Sequence, residues 1–195
     1  MRLRIASPVP APDLILPVIG FRQWRLRDGR LHSLMTDDEW TRGALDARCR
    51  GSSHPSSERD LLPSGRCSCG IYAYYRPLPR TASVIWPELV AGAVALWGEL
   101  QAHATGLRAE HAQAVVFAVP MGRGRKRREL LTLAEELGVD VVSARHLRSA
   151  AAVHGGPLPH ELKPVPDPVG VAAALRWGAQ RHPLMRSHLD RSEGH

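Results

Sequence analysis

The sequence has few aromatic residues, few cysteines, almost no lysine and no long apolar run. Aromatic side chains make up 5% of the chain, and Lys126 and Lys163 are the only lysines among 26 basic residues. No apolar stretch reaches the ~20 residues that a membrane-spanning helix needs, so we expect no membrane association. Pro8, Pro10 and Pro12 interrupt the first apolar segment. We therefore expect no signal peptide and a cytoplasmic protein.

What the sequence does contain is enough apolar material for a folded domain and an excess of positive charge. Hydrophobic residues make up 44% of the 195 residues, which suffices for a single core. The formal net charge is +7 at pH 7. Because arginine binds phosphate and carboxylate through paired N–H groups, the charge leaves a nucleic-acid partner open.

Alternating patterns and turn residues predict the order of elements. Asp28-Gly29 lies between two alternating runs within 18–34 and predicts a β-hairpin. A further strand is expected over 89–104, where alanine and leucine leave a helix as the alternative, and another over 112–119. The segment 67–75 fits a turn that leads into a strand or a short helix. The segment 35–48 fits a turn and a short helix.

The second half of the chain is predicted to be more helical. An amphipathic helix is expected over 127–137 with Gly138 as its C-cap, then a strand over 139–143 and a helix over 144–155. The predicted fold class is α+β: a small antiparallel β domain with a metal-stapled loop, followed by two helices around a short strand, with flexible arms. The domain covers 18–155. A Pro-rich arm precedes it over 1–17, and a Pro-rich linker with a short C-terminal helix and tail follows over 156–195.

The cysteines lie in one short segment, as C-x17-C-x-C at Cys49, Cys67 and Cys69. Cytoplasmic proteins seldom keep disulfides, and an odd number argues against a disulfide framework. Thiolate and imidazole suit a four-coordinate zinc ion. His54, inside the segment, is the preferred fourth ligand, and His103 is the alternative. The competing interpretation is three reduced cysteines that pack as small apolar groups.

The block WGELQAHATGLRAEH, residues 97–111, combines histidine, arginine and glutamate around a turn. If both sides are strands, parity places His103, Arg108 and Glu110 on one face. These three residues are then candidates for a ligand-binding cluster. The alternative is an Arg–Glu pair on a solvated sheet face, which contributes little stability.

A basic run is the best local sign of phosphate binding. It precedes the helix predicted over 127–137, and glycines at 122 and 124 would let backbone amides approach an anion. A solvated loop is the competing interpretation. The candidate nucleic-acid contacts are Arg123, Arg125, Lys126, Arg127 and Arg128.

Several segments together resemble a family of uncharacterised actinobacterial proteins. They are GFRQWRL and DGRLHS near the N-terminus, Trp40, the Ala47–Cys49 segment, HP at 54–55, CSCGIYA at 67–73, WGELQAHATGLRAEHA at 97–112 and LAEELGVDVVS at 133–143. The resemblance covers roughly 19–155 and implies no particular activity. It implies that one design unites the four candidate metal ligands with the three residues of the 97–111 block.

Three functions follow from these observations. The first is a non-enzymatic zinc-binding adaptor or regulatory module that recognises another macromolecule, with a protein as the expected partner. The second is a nucleic-acid-binding protein that uses the Arg123–Arg128 run. The third is a zinc-dependent hydrolase, in which an open coordination position would hold a water. No small-molecule substrate is indicated.

Overall fold

The structure is a computed structural model that describes residues 16–49, 69–77, 89–120 and 124–164, together with the backbone of residues 9–10. Strands take up 46% of the described residues and helices 23%. The described residues form eight strands, β1 (Val9–Pro10), β2 (Val18–Arg27), β3 (Arg30–Ser33), β4 (Ala44–Asp46), β5 (Ile71–Tyr74), β6 (Leu89–Ala102), β7 (Gly106–Ala118) and β8 (Asp140–Val142). They also form the helices α1 (Arg125–Leu137) and α2 (Leu147–Ala151), with 3-10 turns at Thr41–Gly43, Ala144–His146 and His160–Leu162.

Strands β2 and β3 form the hairpin that the sequence predicts. The turn residues have positive φ angles, 48° at Asp28 and 74° at Gly29, as the tight two-residue turn of a twisted hairpin requires. Pairing extends from the turn as far as Trp24 opposite Ser33. The prediction of this hairpin is confirmed.

Strand β6 lies between β2 and β7 and organises the sheet. Residues 18–25 of β2 pair with residues 89–96 of β6, and residues 92–102 of β6 pair with β7. The outer edge of β7 holds β5, β4 and β8 in turn. Strand β5 also pairs with β2, Phe21 opposite Tyr74. Strands β2, β6, β7 and β5 therefore form a closed ring.

Alternate residues of β2 point to two separate cores. Trp24 belongs to the larger core and lies edge-on to Trp40 and Phe117, with ring centroids 5.3 and 5.7 Å away. The opposite face of β2, which carries Phe21, packs with Leu147 of α2. The largest side chains that are fully buried include Trp24, Leu31, Leu96, Leu107, Phe117, Leu130 and Leu158.

The predicted fold class, an α+β fold with a small antiparallel β domain followed by two helices around a short strand, is wrong. The described strands form one mixed sheet, in which β8 lies parallel to β7 with Val116 opposite Asp140. The reason is the length of β6 and β7, 14 and 13 residues, because a long edge offers backbone groups to further strands. Helix α1 returns the chain beside β7. The segment expected to stand between two helices thus completes the sheet.

Two local predictions also differ from the structure. The short helix expected within 35–48 is the 3-10 turn Thr41–Gly43 followed by β4, and the helix expected over 144–155 is a 3-10 turn followed by the five-residue α2. In the first case the positive φ of 72° at Gly43 ends the turn. Gly138 caps α1 with a φ of 66°, as predicted. No helix within the described ranges is long and apolar enough to cross a membrane.

Candidate metal centre

Strands β4 and β5 follow the same edge of β7, one after the other. Strand β4 pairs with residues 111–113 of β7, and β5 pairs with residues 106–109. Between them the Ala47 N–H donates to the Glu110 carbonyl at 2.7 Å. The chain leaves this edge after residue 47 and returns to it at residue 71. The two ends of the intervening segment are therefore held close together by β7.

Two of the three cysteines lie at this meeting point. The Sγ atoms of Cys49 and Cys69 are 3.7 Å apart, and both residues are partly buried. The separation is far longer than the ~2.05 Å of a disulfide bond. A zinc–thiolate bond of ~2.3 Å places two sulfurs of a tetrahedral site about 3.8 Å apart. The observed distance is that of two thiols in contact, with Cys69 donating to Cys49, and it is also the spacing of two thiolates on one zinc ion.

The backbone beside Cys69 supports this arrangement. Gly70 has a φ of 132°, a conformation that side chains strongly disfavour. It lies between Cys69 and the first residue of β5, Ile71. A glycine at this position lets the chain turn from the sulfur position directly into the strand.

Of the other predicted ligands, only His103 lies within the described residues. His54 and Cys67 lie outside the described residues. Among the residues that are described, no group of three or more histidine, cysteine, aspartate or glutamate side chains is placed to hold a metal ion. His103 is therefore not gathered with Cys49 and Cys69 into a three-residue group.

The predicted cluster of His103, Arg108 and Glu110 is only partly assembled. Arg108 is 2% exposed and donates from Nη2 to the Gln101 Oε1 atom on β6. His103 lies near it, and its pKa is lowered by burial and then by the positive charge of Arg108. Of the ion pairs between described residues, none joins Arg108 to Glu110. Among the described residues, the buried Arg108 therefore bonds Gln101 and forms no ion pair with Glu110, and the ligand-binding role of the three residues stays a prediction.

A bulge in β6 explains why parity failed for Glu110. The register of β6 against β7 shifts between Trp97 and Leu100, and Gly98 in this interval has a φ of 76°. The Glu110 side chain points towards the bulged backbone of β6. Its Oε2 atom accepts the backbone N–H of Glu99 at 3.1 Å. The bulge gives the carboxylate a backbone partner on β6 instead of the guanidinium on its own strand.

A neighbouring contact escaped the sequence analysis. His111 Nδ1 lies 2.7 Å from Asp46 Oδ1, and its Nε2 lies 3.5 Å from Glu110 Oε1. The imidazole also stacks on Trp97, with ring centroids 5.7 Å apart. Asp46 and His111 are 65 positions apart, and only the pairing of β4 with β7 brings them together. The sequence carries no local signal for this contact.

The basic run lies at the start of α1, except for Arg123, which is outside the described residues. Arg125 bonds Glu129 one turn along the helix. The first turn of α1 contains basic residues and no acidic residue. Cations at a helix N-terminus are electrostatically unfavourable, because that end of the helix dipole is positive. Beside this turn is a shallow depression of about 400 Å³, lined by Leu26, Arg27, Asp28, Arg125, Lys126 and Glu129.

Comparison of the chain with protein-family models, curated proteins and solved structures found no match.

Proposed function

We propose that the chain is a zinc-binding, non-catalytic module that recognises a protein partner. The single observation that carries the metal assignment is the 3.7 Å separation of the Cys49 and Cys69 sulfurs. Cys67 and His54 are proposed to complete the four ligands. Three thiolates and one imidazole make a closed set, which is typical of structural zinc.

The position of the cysteines gives the metal a mechanical role. The ion would join the last residues beyond β4 to the residues just before β5. Both strands are short, three and four residues, and short strands hold few ladder hydrogen bonds. Because metal binding energy becomes folding energy, a zinc ion at this point would stabilise the two strands on the β7 edge.

Exposed aromatic side chains support a protein partner. Tyr72 and Tyr74 alternate along β5, directly after Cys69, and are 48% and 44% exposed. Trp97, on β6, is 39% exposed. Tyrosine and tryptophan are enriched at protein interfaces. A zinc ion that fixes the start of β5 would also fix the positions of the two tyrosines.

A second candidate function, nucleic-acid binding, has one observation in its favour. Arg125, Lys126, Arg127 and Arg128 occupy the first turn of α1, where their charges oppose the helix dipole. Arg27 of the β2–β3 hairpin lines the same depression. A phosphate backbone beside this turn would relieve the electrostatic cost.

Metal analysis of the purified protein tests the main proposal. Protein prepared without chelator is expected to contain one zinc ion per chain, and the Cys49→Ser and Cys69→Ser variants are expected to lose it. His54→Asn is expected to weaken zinc retention, whereas His103→Asn is expected to leave it unchanged. His146→Asn is the matched control, because its exposed imidazole bonds Ser143 at 3.1 Å, and Ser149 bonds only its backbone carbonyl. Folded wild-type protein without zinc would overturn the proposal.

A further inference from the structure

Arg22 places a positive charge among aromatic side chains of the larger core. On β2 it lies between Gly20 and Trp24, on the face that points to that core. Its Cζ atom is 4.5 Å from the centre of the Trp40 ring and 5.7 Å from that of Trp24. Its Nε atom is buried, whereas the residue as a whole is only partly buried.

The polar contacts of Arg22 are few for a guanidinium in this position. One Nη atom lies 3.5 Å from Ser33 Oγ, and that oxygen already accepts the Trp40 indole N–H at 3.0 Å. No ion pair within the described residues includes Arg22. Burial lowers its pKa to about 10. The charged form is therefore disfavoured by desolvation without a compensating carboxylate.

Two N–H groups in this region lack acceptors. Arg22 Nε and Trp24 Nε1 are both buried, and neither has a hydrogen-bond partner among the described residues. Buried donors in native proteins are nearly always paired, and a buried charge without a partner is strongly unfavourable. Both donors therefore need an acceptor, and the positive charge of Arg22 favours an acceptor that carries negative charge.

We propose that Arg22 and Trp24 bind the carboxylate group of a small organic acid. A carboxylate has two oxygens, one for the guanidinium and one for the indole N–H. Its single charge balances the single charge of Arg22, whereas a doubly charged phosphate would leave a net negative charge in a poorly solvated site. Ser33 and Trp40, both buried, form the wall behind the guanidinium. The carboxylate reaches the site from the accessible side of Arg22.

Nuclear magnetic resonance of the wild-type protein tests the proposal directly. The assigned indole N–H signal of Trp24 is followed during titration with sodium acetate, at constant ionic strength set with sodium chloride. A saturable shift of this signal is expected, without a comparable shift of the Trp97 indole, which lies on the exposed surface. A Trp24 signal that does not move with acetate would overturn the proposal. A parallel titration with inorganic phosphate tests the ligand class, and saturation by phosphate alone would contradict the carboxylate assignment.

Variants then test the role of Arg22. Arg22→Gln removes the charge, and the acetate concentration at half-saturation is expected to rise about tenfold or more, as for the loss of a charge-assisted hydrogen bond. Arg22→Lys keeps the charge but removes Nε, so an intermediate effect is expected. Arg25→Gln is the matched control, because Arg25 is on the opposite face of β2 and contacts Asp37 at 3.4 Å. Equal binding by wild-type protein and Arg22→Gln would show that Arg22 is not the anion contact. If the variants do not fold, the wild-type titration still decides the outcome.

Discussion

Breaking the tie between Cys49 and Cys69 should destabilise the sheet where β4 and β5 meet. The two cysteines are 20 positions apart. A cross-link that closes a loop of this length stabilises the folded state by about 3 kcal/mol at 25 °C, because it restricts the unfolded chain. Each kcal/mol moves the melting temperature of a chain of this size by about 2–4 °C. Removal of zinc is therefore expected to lower the melting temperature by roughly 6–12 °C.

The assay is thermal unfolding followed by circular dichroism, with and without a chelator. Wild-type protein is expected to lose stability on chelation, and Cys69→Ser is expected to start at the lower stability and to be insensitive to chelator. His146→Asn should behave as wild-type protein does. If chelation shifts the wild type and Cys69→Ser equally, or shifts neither, the two cysteines are not joined by a metal.

Hydrogen exchange locates the same effect within the fold. The amide of Ala47, which donates to the Glu110 carbonyl, and the amides of β5 are expected to lose protection first when zinc is removed. The amides that join β2 to β6 lie in the long central pairing and are expected to stay protected. A uniform loss of protection across the sheet would contradict a local role for the metal.

Three further predictions concern other parts of the molecule. Gly98→Ala is expected to cost about 1–2 kcal/mol in urea unfolding, because its φ of 76° disfavours a side chain. A Cβ there would also lie 2.6 Å from Glu110 Oε2. The loss should exceed that of Gly138→Ala, where a Cβ meets nothing within 4 Å; an equal loss would show that the contact is unimportant. His103 has a lowered pKa in the folded state, so the unfolded state takes up its proton first, and stability should fall as the pH drops below about 6.5. The His103→Gln variant should lose less stability between pH 7.5 and 5.5 than the wild-type protein does. The same pH profile in both proteins would refute this. Charge reversal across the Arg123–Arg128 run should weaken DNA and RNA binding alike in fluorescence anisotropy at matched salt, since phosphate contacts carry no base information; undiminished binding would refute the nucleic-acid candidate.

Local signals in the sequence predicted local structure well. The Asp28-Gly29 turn needs positive φ at both residues, and few other pairs adopt it, so the hairpin could be read directly. The amphipathic spacing of α1 and its glycine cap also predicted the helix correctly, and the helix begins only two residues before the predicted start. In each case the decisive interactions lie within a few residues of one another.

The fold class depended on contacts between distant segments, and there the prediction failed. The ring closes through Phe21 opposite Tyr74, and β8 joins the sheet only after the chain has passed through α1. Neither pairing leaves a periodic pattern in the sequence. A short apolar strand looks the same whether it stands between helices or completes a sheet.

At the candidate site, too, local features were predictable from the sequence and contacts between distant residues were not. The clustering of the cysteines pointed to the region where Cys49 and Cys69 meet. Zinc binds thiolates well, and cysteines can be identified directly in the sequence. The partners of Glu110 were not predictable, since a bulge at Gly98 changes which side chains face each other. The sequence also did not identify Arg22. Its side chain lies on the core-facing side of β2, where an alternating strand pattern predicts an apolar residue.

X-ray absorption at the zinc edge of the protein as purified identifies the atoms bound to the metal. We expect zinc with three sulfur neighbours at about 2.3 Å and one nitrogen neighbour at about 2.0–2.1 Å. The Cys49→Ser and Cys69→Ser variants should each lose sulfur neighbours from any zinc they retain. A zinc ion surrounded only by nitrogen and oxygen, or a folded protein without zinc, would contradict this expectation.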